Sequence, residues 1–145
     1  MGITEFLRTR VPFLEGLTED QATFLAPKAE QLSFKKGQTV LFKGVSVDGL
    51  HVVAQGKVEV LTRPEKTKDW MRVAELNPGD VFGEMSIVEF SMAGATIRCA
   101  EDDTKILVLP EEPFRKLLAA DPDLAKRTMA LIESRRAAQQ PKTAG

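Results

Sequence analysis

The sequence predicts a mainly β domain: an antiparallel roll of about eight short strands, with helices before it and a helix pair after it. Three observations predict this. Short apolar segments with period-two alternation, separated by turn residues, run through the middle of the chain. Capped helical patterns stand at both ends. The length, 145 residues, suits one domain with a core of its own.

Ile3, Phe6 and Leu7 predict a turn or two of helix at the start. Thr18-Glu19-Asp20-Gln21 has the spacing of a capping box, opening a helix that runs toward Leu25 and is limited by Pro27. Val40 and Phe42 alternate with polar neighbours after the Lys36-Gly37 turn. Leu50–Ala54 is a compact apolar run, Gln55-Gly56 breaks it, and Lys57–Leu61 resumes with period two, which reads as a hairpin. A polar stretch containing Pro64 leads to the alternating strand Trp70–Leu76, and Asn77-Pro78-Gly79-Asp80 is a turn. Ala95–Ala100 and Lys105–Leu109 make two more strands around Glu101-Asp102-Asp103. Short strands at such even spacing belong to a sandwich, a roll or a small barrel. Phe114, Leu117 and Leu118 then have helical spacing, and Asp121-Pro122 caps and opens a last helix with a stripe at Leu124, Thr128 and Leu131. Beyond Arg136 the composition predicts fraying, so the expectation is one domain over 1–136 and a disordered tail over 137–145.

Composition removes several function classes. Twenty Lys+Arg against 21 Asp+Glu leave a net charge of −1, with no pull toward nucleic acid or an anionic membrane. One cysteine, Cys99, excludes an internal disulfide and a multi-cysteine metal site. One histidine, His51, excludes a His-pair zinc motif; in its apolar strand it is expected to be structural, facing a neighbouring strand or solvent. No apolar run reaches the roughly 18 residues of a membrane span, and the start lacks the features of a secretory signal. The expectation is a soluble cytoplasmic protein. No nucleophile–base pair, metal cluster or Walker loop appears, so an enzyme is not expected.

Residues 76–98 carry the chemistry. Gly83 lets the backbone turn sharply out of a strand, and Glu84 follows at the mouth of a short helical turn. Amides of Met85 and Ser86 at such a turn favour an anion. Gly94-Ala95 are small residues that would let a ligand approach the main chain where a strand resumes. A carboxylate beside such a nest repels a bare phosphate. It makes sense if it accepts a sugar hydroxyl while a phosphate lies on the amides.

With Phe82-Gly83-Glu84-Met85-Ser86 and Ala95-Thr96-Ile97-Arg98, this stretch resembles the phosphate-binding cassette of the cyclic nucleotide-binding domain family, of the catabolite activator and protein kinase A regulatory-subunit type. Other segments are similar in order: Phe13–Leu17, Phe34–Gly37, Asp48–Val53, Gly56–Val60, Pro78–Asp80, Leu107–Pro110 and Phe114 to Pro122. The resemblance covers roughly residues 6–136 and implies an eight-stranded, double-stranded jelly-roll-like β-roll acting as a regulatory or sensor domain. It implies that Glu84 accepts the ribose 2′-hydroxyl, and that the amides of Met85, Ser86 and Ala95 contact the cyclic phosphate. Phe82, Gly83, Ala93, Gly94 and Thr96 complete the implied ligand-binding set.

One departure stands out. The family pattern places an arginine on the cyclic phosphate, and the matching position here is Ala93; the neighbouring hydroxyl position is Gly94. No Lys or Arg occurs between Arg72 and Arg98, and Arg98 is expected to point outward if Ile97 faces the core. The expected function is a stand-alone sensor domain with weakened or lost cAMP and cGMP affinity. The alternative is a ligand-free protein-interaction or dimerisation scaffold. No cofactor is expected beyond a weakly held cyclic nucleotide or related small molecule. Expected partners are a second copy or another protein through the C-terminal helix, with no nucleic acid and no membrane. A transcription factor is disfavoured, because the chain ends where a helix-turn-helix domain would begin.

Overall fold

The fold is that of a computed structural model, which describes residues 2–14, 16–63, 69–84 and 95–139, the side chains of 135–139 excepted. Helix α1 (Ile3–Thr9) and a 3-10 turn (Pro12–Leu14) lead to α2 (Glu19–Leu25) and a second 3-10 turn (Ala26–Lys28). Eight strands follow: β1 (Glu30–Phe34), β2 (Thr39–Leu41), β3 (Gly49–Gln55), β4 (Val58–Thr62), β5 (Met71–Leu76), β6 (Val81–Phe82), β7 (Thr96–Cys99) and β8 (Thr104–Pro110). Helices α3 (Glu111–Ala120) and α4 (Pro122–Gln139) come last among the described residues. Every strand pair is antiparallel, in two four-stranded sheets ordered β1-β8-β3-β6 and β2-β7-β4-β5. This is the β-roll with flanking helices that the sequence predicts. No helix among the described residues is long and apolar enough to cross a membrane.

The alternation of each strand divides the core in two. From β8, Leu107 and Leu109 face the helices with Leu50, Val52 and Val81. Ile106 and Val108 face the other way, with Val53, Val58, Val60, Phe82, Ile97 and Cys99 in the space between the sheets. The first sheet is therefore covered on both faces, which is why β3 and β8 read as continuous apolar runs instead of alternating. The second sheet has an outer face of charges: Lys57, Glu59, Arg72, Glu75 and Arg98 pair across its strands.

The expected hairpin at Gln55-Gly56 is corrected. β3 pairs with β6 and β8, and β4 pairs with β5 and β7, so the two runs lie in different sheets. Gly56, at φ +83, turns a corner over the start of β8, where a Cβ would collide with Thr104. Two period-two runs around a glycine look the same in sequence whether the chain folds back or crosses to the facing sheet. The helix starts hold: Thr18 Oγ1 accepts from Gln21 N at 3.1 Å while Gln21 Oε1 accepts from Thr18 N at 2.9 Å. Asp121 Oδ1 accepts from Leu124 N at 3.1 Å. The last helix continues to Gln139, past Arg136, and the remainder of the expected tail lies outside the described residues.

Candidate functional site

The site is hung from β3. In the Asn77–Asp80 turn, Asn77 N–H donates to Asp80 Oδ2 at 2.8 Å and Asp80 N–H to Asn77 O at 2.9 Å. The turn is tied to β3 by Gly79 N–H to Val53 O (2.8 Å) and Val53 N–H to Asp80 O (2.9 Å). β6 then runs beside β3, with His51 opposite Phe82 and Val52 opposite Val81. At Gly83 the backbone takes φ +86 and settles onto β3. A Cβ there would lie 3.0 Å from Gly49 O, 3.0 Å from Val47 Cγ1 and 3.3 Å from His51 Nδ1. Glu84 comes next, only 2% exposed. A carboxylate is expensive to bury, so its surroundings must compensate for the water it loses.

The other end of the cassette starts β7 in the facing sheet. Ala95 is buried between the sheets with Phe82, and the Thr96 hydroxyl accepts from Lys43 N at 3.1 Å. The predicted residues thus divide. Phe82, Gly83 and Glu84 lie at the end of the first sheet, and Ala95 and Thr96 at the start of a strand in the second. Phe82 is a floor residue whose ring sits 4.9 Å from that of His51. Thr96 is already used by the backbone of Lys43. Met85, Ser86, Ala93 and Gly94 lie outside the described residues. Arg98 points outward onto the charged face, its Nη2 3.3 Å from Glu59 Oε2, while Ile97 is buried.

His51 is a structural residue, as its apolar strand predicts, but its place under the site is not legible in the sequence. It is 5% exposed, faces the neighbouring strand and lies directly beneath Gly83. Its Nδ1 is 3.0 Å from the carbonyl of Gly49. A carbonyl only accepts, so Nδ1 carries the proton and donates. No signal in the sequence pairs His51 with Phe82, because that pairing depends on the register of two strands far apart in the chain.

Burial pushes the His51 pKa down, partly opposed by the Gly49 hydrogen bond and the Asp48 carboxylate. The unfolded chain therefore takes up a proton more readily than the folded one once pH falls below about 6.5. Stability is expected to be full above that pH and to fall as acid is added, until the folded imidazole is itself protonated. Thermal midpoints measured between about pH 7.5 and 5.5 should drop for the native chain and drop less for His51→Gln, which keeps an N–H donor but does not titrate. An unchanged pH slope in the variant would assign the acid sensitivity to other groups.

Known proteins share this frame. A family model described as "Cyclic nucleotide-binding domain" matches residues 31–121. A candidate potassium channel protein of Rhodopseudomonas palustris is 28% identical over 126 residues, 87% of this chain and 30% of that protein. The chain spans 30% or less of the length of the curated relatives it matches. The catabolite activator protein of Thermus thermophilus superposes with a TM-score of 0.73 at 27% identity, over 87% of this chain and 58% of that one. The regulatory subunit of a cAMP-independent protein kinase A from Trypanosoma brucei superposes with a TM-score of 0.74 at 24% identity, over 94% of this chain and 46% of that one.

Proposed function

The chain belongs to the cyclic nucleotide-binding domain family, and on that premise we propose that it is a regulatory domain whose cassette has lost most of its affinity for cAMP and cGMP. One observation carries this reading. Glu84 is buried within a segment, residues 73–97, that contains no Lys or Arg, and the sequence resemblance aligns Ala93 with the family's phosphate arginine. A cyclic nucleotide brings a negative charge into that segment, which carries a carboxylate and supplies no cation of its own. Arg98 supplies no replacement from where it is, since it is directed onto Glu59.

The size of the loss follows from the missing contact. A hydrogen bond to a charged group contributes about 1.5–3 kcal/mol, and stripping one partner from a desolvated charge pair costs about 2–5 kcal/mol. At about 1.4 kcal/mol per decade, affinity falls by roughly 10- to 1,000-fold or more. A micromolar site becomes millimolar or vanishes. The Trypanosoma brucei subunit offers a parallel in kind: a triple mutant of it, one of whose changes replaces threonine by arginine, is described as bound to cAMP.

A second reading, a ligand-free interaction or dimerisation scaffold, is supported by the same buried Glu84, which leaves little of its carboxylate for a sugar hydroxyl to reach. Thermal shift with a panel of cyclic mono- and dinucleotides separates the two. A true ligand at about a hundredfold excess over its dissociation constant stabilises by about 2.7 kcal/mol, a rise of roughly 5–10 °C for a chain of this size. The expected result is no such rise with cAMP or cGMP at submillimolar concentration. A rise with another member of the panel identifies the ligand, and no rise with any member favours the scaffold.

A further inference from the structure

The structural role of His51 uses only one of its two ring nitrogens. Cross-strand partners share a face of a sheet, and His51 stands opposite Phe82 in β6 and Val108 in β8. Both of those side chains lie between the two sheets, so the imidazole lies there too, 4.9 Å from the Phe82 ring. Gly83 bends over it with φ +86, where a Cβ would lie 3.3 Å from Nδ1, and Glu84 is the next residue. The Nδ1 proton is given to the Gly49 carbonyl, which leaves Nε2 as a bare lone pair. Nε2 has no hydrogen-bond partner among the described residues, yet it is not sealed from solvent. His51 can therefore take up a proton on Nε2 without giving up the Gly49 bond.

The charged groups around it are acids. Asp48 precedes β3 and its carboxylate favours the imidazolium, and Glu84 follows β6. From β7 and β8, Ala95, Ile97, Ile106 and Val108 face the same space without charge, and Arg98 lies on the outer face against Glu59. Helix α3 opens with Glu111, whose N–H donates to Asp48 O and whose carboxylate pairs with Arg115. Burial outweighs these acids and favours the neutral ring. An anion arriving between the sheets adds one more negative neighbour and shifts the balance toward the charged ring. We propose that His51, once protonated on Nε2, is the positive charge of this site, so that the domain captures a phosphate-bearing anion together with a proton. The proposal rests on the reading above, since residues 73–97 offer no Lys or Arg for that part.

The probe is cAMP, whose phosphodiester stays ionised between about pH 5.5 and 7.5, so a proton taken up there belongs to the protein. Calorimetric titration of the full chain is expected to show cAMP affinity rising about tenfold from about pH 7.5 to 5.5. By reciprocity, about 10 mM cAMP should raise the titration midpoint of His51 by about one pH unit. Proton NMR reads that midpoint from the imidazole C–H signals, which belong to His51 alone because the chain has a single histidine. His51→Gln should bind cAMP equally at both pH values, close to the native affinity at the higher one. Millimolar binding with no gain in acid overturns this proposal alone, and so does a gain that His51→Gln retains. Micromolar binding already at about pH 7.5, with no gain in acid, overturns the reading above and this proposal with it. Should His51→Gln fail to fold, the midpoint in the native chain decides: one that cAMP does not move overturns the proposal.

Discussion

Replacing Ala93 by arginine is expected to raise affinity for cAMP by roughly 10- to 1,000-fold, the reverse of the loss assigned to the missing charge contact. The substitution adds a cation to a segment that has none between Arg72 and Arg98 and that holds Glu84 nine residues earlier. Calorimetric titration of native chain and variant with cAMP reads the effect directly. The native chain should give no measurable heat of binding below millimolar concentration, and Ala93→Arg should give a saturable isotherm in the micromolar range. Adding Glu84→Gln to Ala93→Arg tests the other half of the site. If Glu84 holds the ribose hydroxyl as an ionised acceptor, the double variant loses about tenfold, since hydrogen bonds to charged groups are stronger than neutral ones. An Ala93→Arg variant that still ignores cAMP would show that the cassette departs from its family by more than one residue. Tight binding by the native chain would remove the basis of the whole reading.

What could be read from the sequence, and what could not, follows the range of the interactions involved. The capping box at Thr18 and the Asp121 cap are local, set by residues three apart, and both appear with the expected hydrogen bonds. β8 was legible because burial on both faces leaves an unbroken apolar run, Ile106–Leu109. β1, Glu-Gln-Leu-Ser-Phe, gave no comparable signal in its residues, because its side chains are exposed or only half-buried. Pairing was not legible at all. Gln55-Gly56 looks like the turn of a hairpin, yet the partners of β3 and β4 are decided by β8 and β7, roughly 40–60 residues away in the chain. The site divides in the same way. The chemistry of Glu84 and the lack of Lys and Arg over residues 73–97 are properties of the sequence. That Gly83 rests on His51 and Gly49, and that the ends of the cassette belong to opposite sheets, are properties of the fold.

The helix layer is held to the first sheet at Phe114, and truncating that residue is expected to cost about 3–5 kcal/mol, a large share of the roughly 5–15 kcal/mol that stabilises a domain. Phe114 is 0% exposed and shares its cluster with Leu50 and Leu109 of the sheet, Leu7 and Leu14 of the N-terminal segment, and Leu117 and Leu124 of the closing helices. Phe114→Ala would therefore leave a cavity bordered by elements that cannot all move in, since β3 and β8 are fixed by their own pairing. The denaturant midpoint should fall sharply with little change in slope. Met129→Ala, on a 41% exposed position of α4, should change stability by no more than about 0.5 kcal/mol. The contrast bears on function as well as stability. Phe13, whose tilted ring lies 6.3 Å from that of Phe114, also presents the carbonyl to which Arg127 of α4 donates, so one residue touches both C-terminal helices. Loss of the ring should loosen α4 together with α3, and exchange in α4 should rise by more than the global change alone explains. A cost under about 1 kcal/mol would mean that the helices close over the gap.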